Sequence, residues 1–433
     1  FQTITGFGGS FTEASASLLN RLSEKNRNKV LEAYFSESGA NYSLTRTHIA
    51  SCDFSLSNYT YAKVPNDMAL EYFTIEDDKS DLIPMILKAK SISKDSFNII
   101  ASPWTCPPWM KDNNHYVGGK LLPQFNDAFA LYFSKYLNAY KKEGIDIWGI
   151  TVINEPHGNG NNWESTLFSP KEMTDFVQNH LGPKLEKDGW ENTKILGYDQ
   201  NRAGIKEWAD AMYRDEAASK YFDGMAIHWY ESTYEVFPKD LQYAHNKAPN
   251  KYLIETEGCI DSEIPHWQDD AWYWKKEATD WGWDWASEQD KYLHPKYAAV
   301  NRYANDIIGC LNNYVDGWVD WNMVLDRQGG PNWFKNWCIA PVIVDPEKDE
   351  VYFTPLYYVM SHFSKFMRPG AVKIGCDINS KDVVATAVQN PDGSIAVAIF
   401  NPSDTNYSVE IKLNNKTKTI TIPSKALQTV VIK

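Results

Sequence analysis

Two glutamates follow short apolar runs at points where a β-strand would end. Glu155 lies two residues after the run 147–153, within an Asn-Glu-Pro triplet, and Glu257 directly follows residues 252–256. In a barrel of parallel strands the carboxyl ends meet at one mouth, so these carboxyls from the fourth and seventh runs would face each other. A facing pair can cleave a glycosidic bond, one as the acid and the other as the base or nucleophile. The triplet alone is a weak signal, because glutamates at strand ends often form salt bridges.

Polar and aromatic residues close the other runs as well. They are Arg46 and His48 with Asp53 just beyond, then Trp104, then His228, Trp229 and Tyr230, and finally Trp318, Asp320, Trp321 and Asn322. A single histidine or tryptophan at such a position is more often structural than catalytic. Together these residues predict a small polar pit walled by aromatic rings and suited to one neutral sugar. Glu255 is expected to pair with a basic group and to point to the same face as Glu257, since it lies two residues earlier on the strand.

The elements that must position these residues alternate regularly until about residue 365. The apolar runs span residues 7–11, 42–49, 98–104, 147–153, 194–198, 225–230, 252–256 and 317–323. Between them, the start signal at residues 169–172 (SPKE) predicts one helix, and an apolar stripe over residues 129–140 predicts another that stops at Gly144. Eight strands alternating with helices predict an α/β fold of the (β/α)8 TIM-barrel type. A doubly wound open sheet is the alternative.

From about residue 366 the pattern changes to short β-strands. Residues 383–388 and 395–400 flank a turn at residues 390–393 (NPDG), and alternating runs follow at 408–413 and 417–422. This meander predicts a β-sandwich packed on the barrel. We therefore assign residues 6–365 to the catalytic barrel and residues 366–433 to the sandwich, with residues 1–5 as a candidate addition to the sandwich. The tryptophan-rich residues 267–285 are expected to form a long loop over the barrel mouth.

Composition excludes several classes of partner. The 433 residues carry 43 Lys and Arg against 56 Asp and Glu, a net charge of −13 that repels phosphate backbones, so no nucleic-acid partner is expected. Aromatic residues make up 14% of the chain, which favours ring platforms for sugars. No apolar run reaches the roughly 18 residues of a membrane helix. The chain has no HExxH motif of a metal-dependent hydrolase, and its six scattered cysteines fit no zinc knuckle.

Eight short motifs occur in chain order along the barrel region. They are residues 7–13 (FGGSFTE), 51–55 (SCDFS), 101–105 (ASPWT), 154–156 (NEP), 228–230 (HWY), 256–259 (TEGC), 317–322 (GWVDWN) and 329–333 (GGPNW). Together they resemble glycoside hydrolase family 30, which includes lysosomal glucosylceramidases and microbial β-1,6-glucanases. The resemblance implies a (β/α)8 barrel with a side β-sandwich and a retaining double displacement that uses no metal or organic cofactor.

The resemblance also implies roles for individual residues. Glu155 would be the acid/base and Glu257 the nucleophile. Asp53, Trp104 and Trp321 match positions that hold the non-reducing glucosyl ring. The remaining matches are Asn154 at the 2-hydroxyl of that ring, Tyr230 beside the nucleophile, and Arg46, His228 and Asn336 lining the same pocket.

Three segments bear on the substrate. Residues 102–113, 118–123 and 325–332 are more similar to the β-1,6-glucanase branch of the family. We therefore expect release of β-1,6-linked glucose from a neutral β-glucan, by exo action or removal of side branches, with residues 267–285 closing the pocket. The alternatives are a glucosylceramidase, a β-xylosidase, or a sugar-binding barrel without catalysis, although the presence of both carboxyls counts against the last. A secreted or periplasmic address is expected, with a leader outside the given chain, and a lysosomal address would accompany glucosylceramidase activity.

Overall fold

The computed structural model describes residues 1–232, 235–261, 299–378, 380–413 and 416–433. In chain order the strands are β1 Gly6–Phe11, β2 Leu44–Ile49, β3 Asn98–Pro103, β4 Gly149–Thr151, β5 Lys194–Asn201, β6 Gly224–His228, β7 Tyr252–Glu257, β8 Ile260–Asp261, β9 Gly317–Asp320, β10 Val324–Asp326, β11 Cys338–Ile339, β12 Val342–Asp345, β13 Glu350–Phe353, β14 Val372–Ile374, β15 Val384–Gln389, β16 Ile395–Asn401, β17 Tyr407–Leu413, β18 Lys416–Ile422 and β19 Ala426–Ile432. The α-helices are Glu13–Arg21, Glu24–Phe35, Leu82–Ile92, Asn126–Lys142, Pro170–Phe176, Gly182–Lys187, Ile205–Met212, Glu216–Ser219, Pro238–Lys247, Ala299–Asn312 and Pro355–Ser364. Residues 267–285, predicted as a loop over the mouth, lie outside the described residues.

Eight parallel strands, β1 to β7 and β9, close into a barrel. The last barrel strand, β9, pairs with β7 on one side and with β1 on the other, where Phe7 lies opposite Trp318. The prediction of a (β/α)8 barrel is therefore confirmed, and the open-sheet alternative is wrong. One apolar cluster draws a side chain from each of six barrel strands: Leu44, Ile100, Leu196, Ala226, Ile254 and Val319. This cluster fills the interior, so polar residues nearer the carboxyl ends of the strands lie above a packed floor.

The helices begin and end where the sequence signals are. At the predicted start, the Ser169 hydroxyl accepts a hydrogen bond from the backbone N–H of Glu172, whose carboxylate accepts one from the backbone of Ser169 in return. Such a capping box satisfies two backbone donors that a helix start leaves open. The helix predicted from residues 129–140 spans Asn126–Lys142, and Gly144 follows it with a φ of 83°. Among the described residues, no helix is both long enough and apolar enough to cross a bilayer.

The last part of the chain forms the predicted sandwich. β14, β15, β16 and β19 make a four-stranded antiparallel sheet, and β17 and β18 make a hairpin. Val397 and Ile399 of the sheet share an apolar cluster with Ile422 of the hairpin, so the two layers pack through their inner faces.

The first residues of the chain pair with the sandwich. Thr3 forms an antiparallel bridge with Val372, and the backbone N–H of Ile4 donates to the carbonyl of Ala371 at 2.7 Å. The N–H of Lys373 donates to the carbonyl of Gln2 at 3.0 Å. Because β1 begins at Gly6, the same short segment is an edge of the sandwich and the entry to the barrel.

Candidate active site

A buried arginine connects five strands at the carboxyl end of the barrel. Arg46, on β2, donates from Nε to Ser102 at 3.0 Å, and from Nη2 to Asn154 at 2.9 Å and to Asp199 at 2.7 Å. Its Nη1 donates to a carboxylate oxygen of Glu257. Burial opposes the charged guanidinium, but Asp199 and Glu257 outweigh it and raise the pKa of Arg46. The guanidinium is therefore a fixed positive charge under the mouth of the barrel.

Asp199 is the matching anion. Its Oδ1 accepts hydrogen bonds from His228 at 2.9 Å and Thr256 at 2.7 Å, and its Oδ2 accepts from Arg46 and Thr151, each at 2.7 Å. Burial opposes ionisation, yet the arginine and the histidine outweigh it and hold the pKa of Asp199 below its ordinary range. A carboxylate that satisfies four donors is strongly fixed in position and charge.

Glu257 ends β7 with both carboxylate oxygens engaged. Oε1 accepts from the hydroxyl of Tyr230 at 3.0 Å, while Oε2 accepts from Arg46. Burial raises the pKa of Glu257 above its ordinary value, while the positive charges of His228 and Arg46 act in the opposite direction. The result is an immobilised carboxylate in a dry environment, with two donors that favour its ionised form.

Glu155 follows β4 in a strained backbone conformation. Its φ is 48°, in the left-handed region that non-glycine residues rarely adopt. Its backbone N–H donates to the carbonyl of Asp199 at 3.0 Å, which holds this turn in place. The Glu155 side chain is 14% exposed, against 7% for that of Glu257. Strain of this kind persists where the surroundings enforce it, commonly at functional sites.

His228 lies between the two glutamates and Asp199. Its Nε2 donates to Asp199, and its Nδ1 lies 3.7 Å from Oε1 of Glu155, slightly beyond hydrogen-bond distance. Burial lowers the pKa of His228, but the negative charge of Glu257, the hydrogen bond to Asp199 and the nearby carboxyl of Glu155 outweigh it and raise the pKa to about 10. The imidazole is therefore cationic at neutral pH.

Two indoles form one wall of the site. Trp104 and Trp321 stack with ring centroids 5.1 Å apart and an interplanar angle of 21°, and the Arg46 guanidinium lies 4.9 Å from the Trp104 ring. Next to them, the amide of Asn336 approaches Oδ2 of Asp53 at 3.4 Å. Burial raises the pKa of Asp53 well above its ordinary value, and the negative charge of Glu257 adds to the effect. Asp53 Oδ1 is buried and has no hydrogen-bond partner in the part of the chain that the structure describes.

These groups surround one cavity of about 250 Å³, slightly smaller than the roughly 300–1,000 Å³ of typical ligand pockets. Eight of the predicted site residues line it: Asp53, Trp104, Asn154, Glu155, Tyr230, Glu257, Trp321 and Asn336. The other two, Arg46 and His228, are fully buried and contact the lining residues from below. The structure thus brings all ten together around a space that fits one sugar ring with its two glutamates.

The expected direction of the Glu255 side chain is wrong. Glu255 pairs with a basic group as expected, Arg202, but it faces away from Glu257. The register of β6 against β7 shifts at this point: Ile227 lies opposite Glu255 and His228 opposite Glu257, so Thr256 is an extra residue. Such a bulge cancels the alternation that would have put the two glutamates on one face.

Trp229 and Trp318 were expected in the pit and instead lie in the helical layer. Both rings pack against Tyr303 of helix Ala299–Asn312, and the Trp318 indole N–H donates to Asp306 of the same helix at 2.9 Å. Glu255 is linked to the same helix through Arg202, whose guanidinium forms salt bridges to Glu255 and to Asp306, each at 2.6 Å. These residues therefore fasten the barrel wall to its helix and contribute nothing to the cavity.

Several site residues have no counterpart in the sequence prediction. One is Asp199, which accepts hydrogen bonds from Arg46 and His228. The others line the cavity: Gly158, Asn159, Trp163, Gln200, Asn201, Cys259 and Cys338. Residues 199–201 (DQN) directly follow the fifth apolar run, which was ended at residue 198, so strand-end polarity could have found them. The residues on the loop after β4 have no such local signal. Among the described residues, no group of three or more His, Cys, Asp or Glu could hold a metal ion.

Two family models match the chain in succession. The model described as the glycosyl hydrolase family 30 TIM-barrel domain matches residues 4–367, and the one described as the glycosyl hydrolase family 30 beta sandwich domain matches residues 370–430. Between them they cover nearly the whole sequence.

Individual proteins are similar over almost the full chain. The lysosomal acid glucosylceramidase of Mus musculus is 34% identical over 421 residues, which cover 95% of this chain and 77% of the relative. An endo-1,6-beta-D-glucanase of Neurospora crassa is 28% identical over 92% of this chain and 79% of the relative. The crystal structure of SrfJ from Salmonella typhimurium superimposes with a TM-score of 0.88 at 31% identity, over 100% of this chain and 90% of that one. These identities give no support to a particular closeness to the β-1,6-glucanases.

Proposed function

The chain belongs to glycoside hydrolase family 30, and from this premise we propose that it is a retaining β-glucosidase with Glu257 as nucleophile and Glu155 as acid/base. One observation carries the proposal. Two glutamates from the ends of β4 and β7 line the same small cavity as a stacked pair of indoles. Acid and nucleophile on opposite sides of a sugar are what double displacement requires.

In the first step Glu257 attacks the anomeric carbon while Glu155 gives its proton to the glycosidic oxygen. The bond from carbon to the leaving oxygen breaks, a glycosyl ester forms on Glu257, and the alcohol departs with the proton. The donors Arg46 and Tyr230 support this role, because they favour the ionised carboxylate that attack needs. They also keep its oxygens in one orientation.

In the second step Glu155 takes a proton from water, whose oxygen attacks the anomeric carbon and releases Glu257. Once the ester has formed, the negative charge of Glu257 is gone. A neighbouring acid then holds its proton less tightly, which suits a base.

The sugar is proposed to be a neutral glucosyl ring. Trp104 and Trp321 offer apolar ring surfaces, and Asp53 has a free oxygen for hydroxyl groups. The side-chain oxygen of Asn154 accepts a hydrogen bond from Arg46. The amide N–H groups of Asn154 are therefore left for the 2-hydroxyl of the sugar. That bond strengthens as the ring flattens toward an oxocarbenium ion.

For the leaving group we propose a primary alcohol. A β-1,6 linkage joins glucose to the C6 hydroxymethyl group of another sugar, and a glucosylceramide joins it to the hydroxymethyl group of ceramide. β-1,6-Linked glucose stays the first candidate because amide side chains line the cavity beside the indoles. Glucosylceramide is the second candidate, favoured by the 34% identity to a glucosylceramidase. The proposed location is secreted or periplasmic if the substrate is β-1,6-linked glucose, and lysosomal if it is glucosylceramide.

A substrate panel tests the proposal. Native protein is given an aryl β-glucoside, an aryl β-xyloside, a β-1,6-linked glucose disaccharide and a glucosylceramide, and proton NMR follows which anomer of the sugar appears first. β-Glucose as the first product, from the disaccharide at least as fast as from the ceramide, is expected. α-Glucose would contradict retention, and faster release of xylose would contradict the choice of sugar.

Matched variants assign the two carboxyls. Glu257→Gln is expected to lose nearly all activity on every glucoside, and Glu155→Gln to lose most on substrates with poor leaving groups, which need the proton. Glu231→Gln changes an exposed glutamate that follows β6 and should retain native rates. Undiminished hydrolysis by Glu257→Gln would overturn the assignment, and binding of glucose without hydrolysis by the native protein would indicate a sugar-binding barrel.

A further inference from the structure

A third indole lies nearer the mouth of the cavity than the stacked pair. Trp104 and Trp321 are 1% and 2% exposed, whereas Trp163 is only partly buried, although it lines the same cavity. It belongs to the loop that follows β4, eight residues after Glu155. The most exposed of the three indoles in the lining therefore comes from the same loop as Glu155.

This loop is fastened on several sides next to the indole. Glu164 is buried, and its carboxylate accepts from the amide of Asn58 at 2.6 Å and from the indole N–H of Trp333 at 3.1 Å. The buried ammonium of Lys111 donates to the carbonyl of Ser165 at 2.7 Å. The backbone on the C-terminal side of Trp163 is thereby tied to three other loops, so the indole is held in one place.

The ring itself has a lateral support. Phe334 meets the Trp163 ring edge-on, with centroids 5.5 Å apart and an interplanar angle of 67°. Trp163 also packs on the cluster that contains Trp104 and Trp321. A partly exposed indole that is fixed by its backbone and by an aromatic neighbour can receive a ligand without losing much side-chain entropy.

Amide groups line the cavity together with this indole. Asn159, Gln200 and Asn201 all belong to the lining. The Oδ1 atom of Asn201 is buried and has no hydrogen-bond partner within the described ranges. A buried acceptor without a donor costs free energy, which a hydroxyl of a ligand would recover and an alkyl chain would not.

We propose that Trp163 is the platform on which the ring of a leaving-group sugar stacks, with Asn201 accepting one of its hydroxyls. The proposal rests on the proposed function, in which Glu155 protonates the leaving oxygen. The leaving group must then lie against the loop that carries Glu155, and that loop presents Trp163. A pyranose has an apolar face for the indole and hydroxyls for the amides, so the leaving group recognised here is a sugar and not a lipid chain.

The test compares three β-glucosides that share the glucosyl ring and differ in what leaves. They are β-glucosyl fluoride, a β-1,6-linked glucose disaccharide and octyl β-glucoside. Trp163→Ala is expected to lower kcat/KM about tenfold on the disaccharide, mainly through KM, and to stay within about twofold of native on the fluoride. A tenfold change corresponds to about 1.4 kcal/mol, close to the upper range of a single aromatic contact. Trp163→Phe should recover most of the loss, because it keeps an aromatic face.

A remote indole provides the control. Trp190 is partly buried just before β5, at the opposite end of the barrel, and Trp190→Ala should leave all three rates unchanged. Equal losses on the three substrates in both Trp163 variants would overturn the proposal, since the indole would then serve the glucosyl ring or the fold. A greater loss on octyl β-glucoside than on the disaccharide would also overturn it and indicate an alkyl site. Native protein that leaves glucosyl fluoride intact would contradict the proposed function itself.

Discussion

Asp199 accepts a hydrogen bond from Arg46 on one carboxylate oxygen and from His228 on the other, at 2.7 and 2.9 Å. Its side chain neither lines the cavity nor bonds to either glutamate, yet it holds two cations that approach them. Arg46 reaches Glu257, and His228 lies beside Glu155. The surroundings of both proposed catalytic carboxyls thus depend on a residue behind them.

Replacing this carboxylate should damage catalysis more than binding. In Asp199→Asn the amide N–H2 would face donors, and Arg46 and His228 would lose their shared anion. We expect a fall in kcat of about 10²–10³-fold with a smaller change in KM, and a loss of about 3–5 kcal/mol in the free energy of unfolding. Thr151→Val removes one neutral donor from the same carboxylate and should cost far less. A native kcat in Asp199→Asn would show that Asp199 has no role in catalysis.

The acid limb of the pH–rate profile should report Glu257. As the proposed nucleophile, this carboxyl must be ionised to attack, and burial raises its pKa, so kcat/KM is expected to fall as the pH drops through that raised value. Tyr230→Phe removes a hydrogen bond to the ionised form and therefore raises the pKa further. We expect the acid limb of this variant to move to higher pH, by about half a unit to one unit. The profile is measured with an aryl β-glucoside.

A second tyrosine serves as the control for that shift. Tyr59 donates to Asp78 at 2.9 Å, in the loop that follows β2, and does not line the cavity. Tyr59→Phe should leave the acid limb where it is. An acid limb that moved to lower pH in Tyr230→Phe would argue against Glu257 as the ionised nucleophile.

The proposed contact between Asn154 and the 2-hydroxyl can be tested by a double-mutant cycle. Asn154→Ala and a 2-deoxy glucoside should each lower kcat/KM by about 10²-fold, because each removes a bond that strengthens in the transition state. Combined, they should cost little more than either alone, since both remove the same interaction. Additive losses would mean that the asparagine and the hydroxyl do not meet.

Stability should depend on pH through a buried aspartate below the site. Asp316 accepts the backbone N–H of Leu253 at 2.7 Å, and burial raises its pKa from 3.8 to about 8. A raised folded-state pKa means that the folded protein holds a proton that the unfolded chain releases above about pH 4. The stabilisation is complete below that pH and is lost as the pH rises toward 8, at up to about 1.4 kcal/mol per pH unit.

Asp316→Asn should flatten this dependence, because an amide can accept the same hydrogen bond without titrating. Thermal unfolding between pH 5 and pH 8 measures the slope in both proteins. Asp146→Asn, at an exposed carboxylate, should keep the native slope. Parallel curves for native protein and Asp316→Asn would contradict the prediction.

The sequence predicted the barrel and both glutamates for the same reason. Strand ends in a parallel barrel converge, so residue types that close successive apolar runs reveal a shared site before any contact is known. Glu155, Glu257 and Trp104 are all of this kind. Arg46 and His228 were found in the same way, although they act from beneath the cavity and not in its lining.

The parts that were missed depend on strand register and on contacts between loops. The bulge at Thr256 turns Glu255 toward Arg202, and no local pattern reveals an extra residue in one strand of a pair. A similar register shift between Tyr198 and Gln200 places Asp199 where it bonds to Arg46 and His228. Trp163 owes its place to bonds formed by the adjacent Glu164, whose partners lie more than 100 residues away in sequence.

The pairing of Thr3 with Val372 restricts how the enzyme can admit its substrate. Only Ile4 and Thr5 separate that bridge from the first barrel strand, and Ile4 is itself bonded to Ala371. A hinge there would have to break strand pairing before it could bend, so the sandwich cannot swing as a flap. The lining of the cavity includes no described residue of the sandwich, so a sugar can enter while the two domains stay fixed to each other.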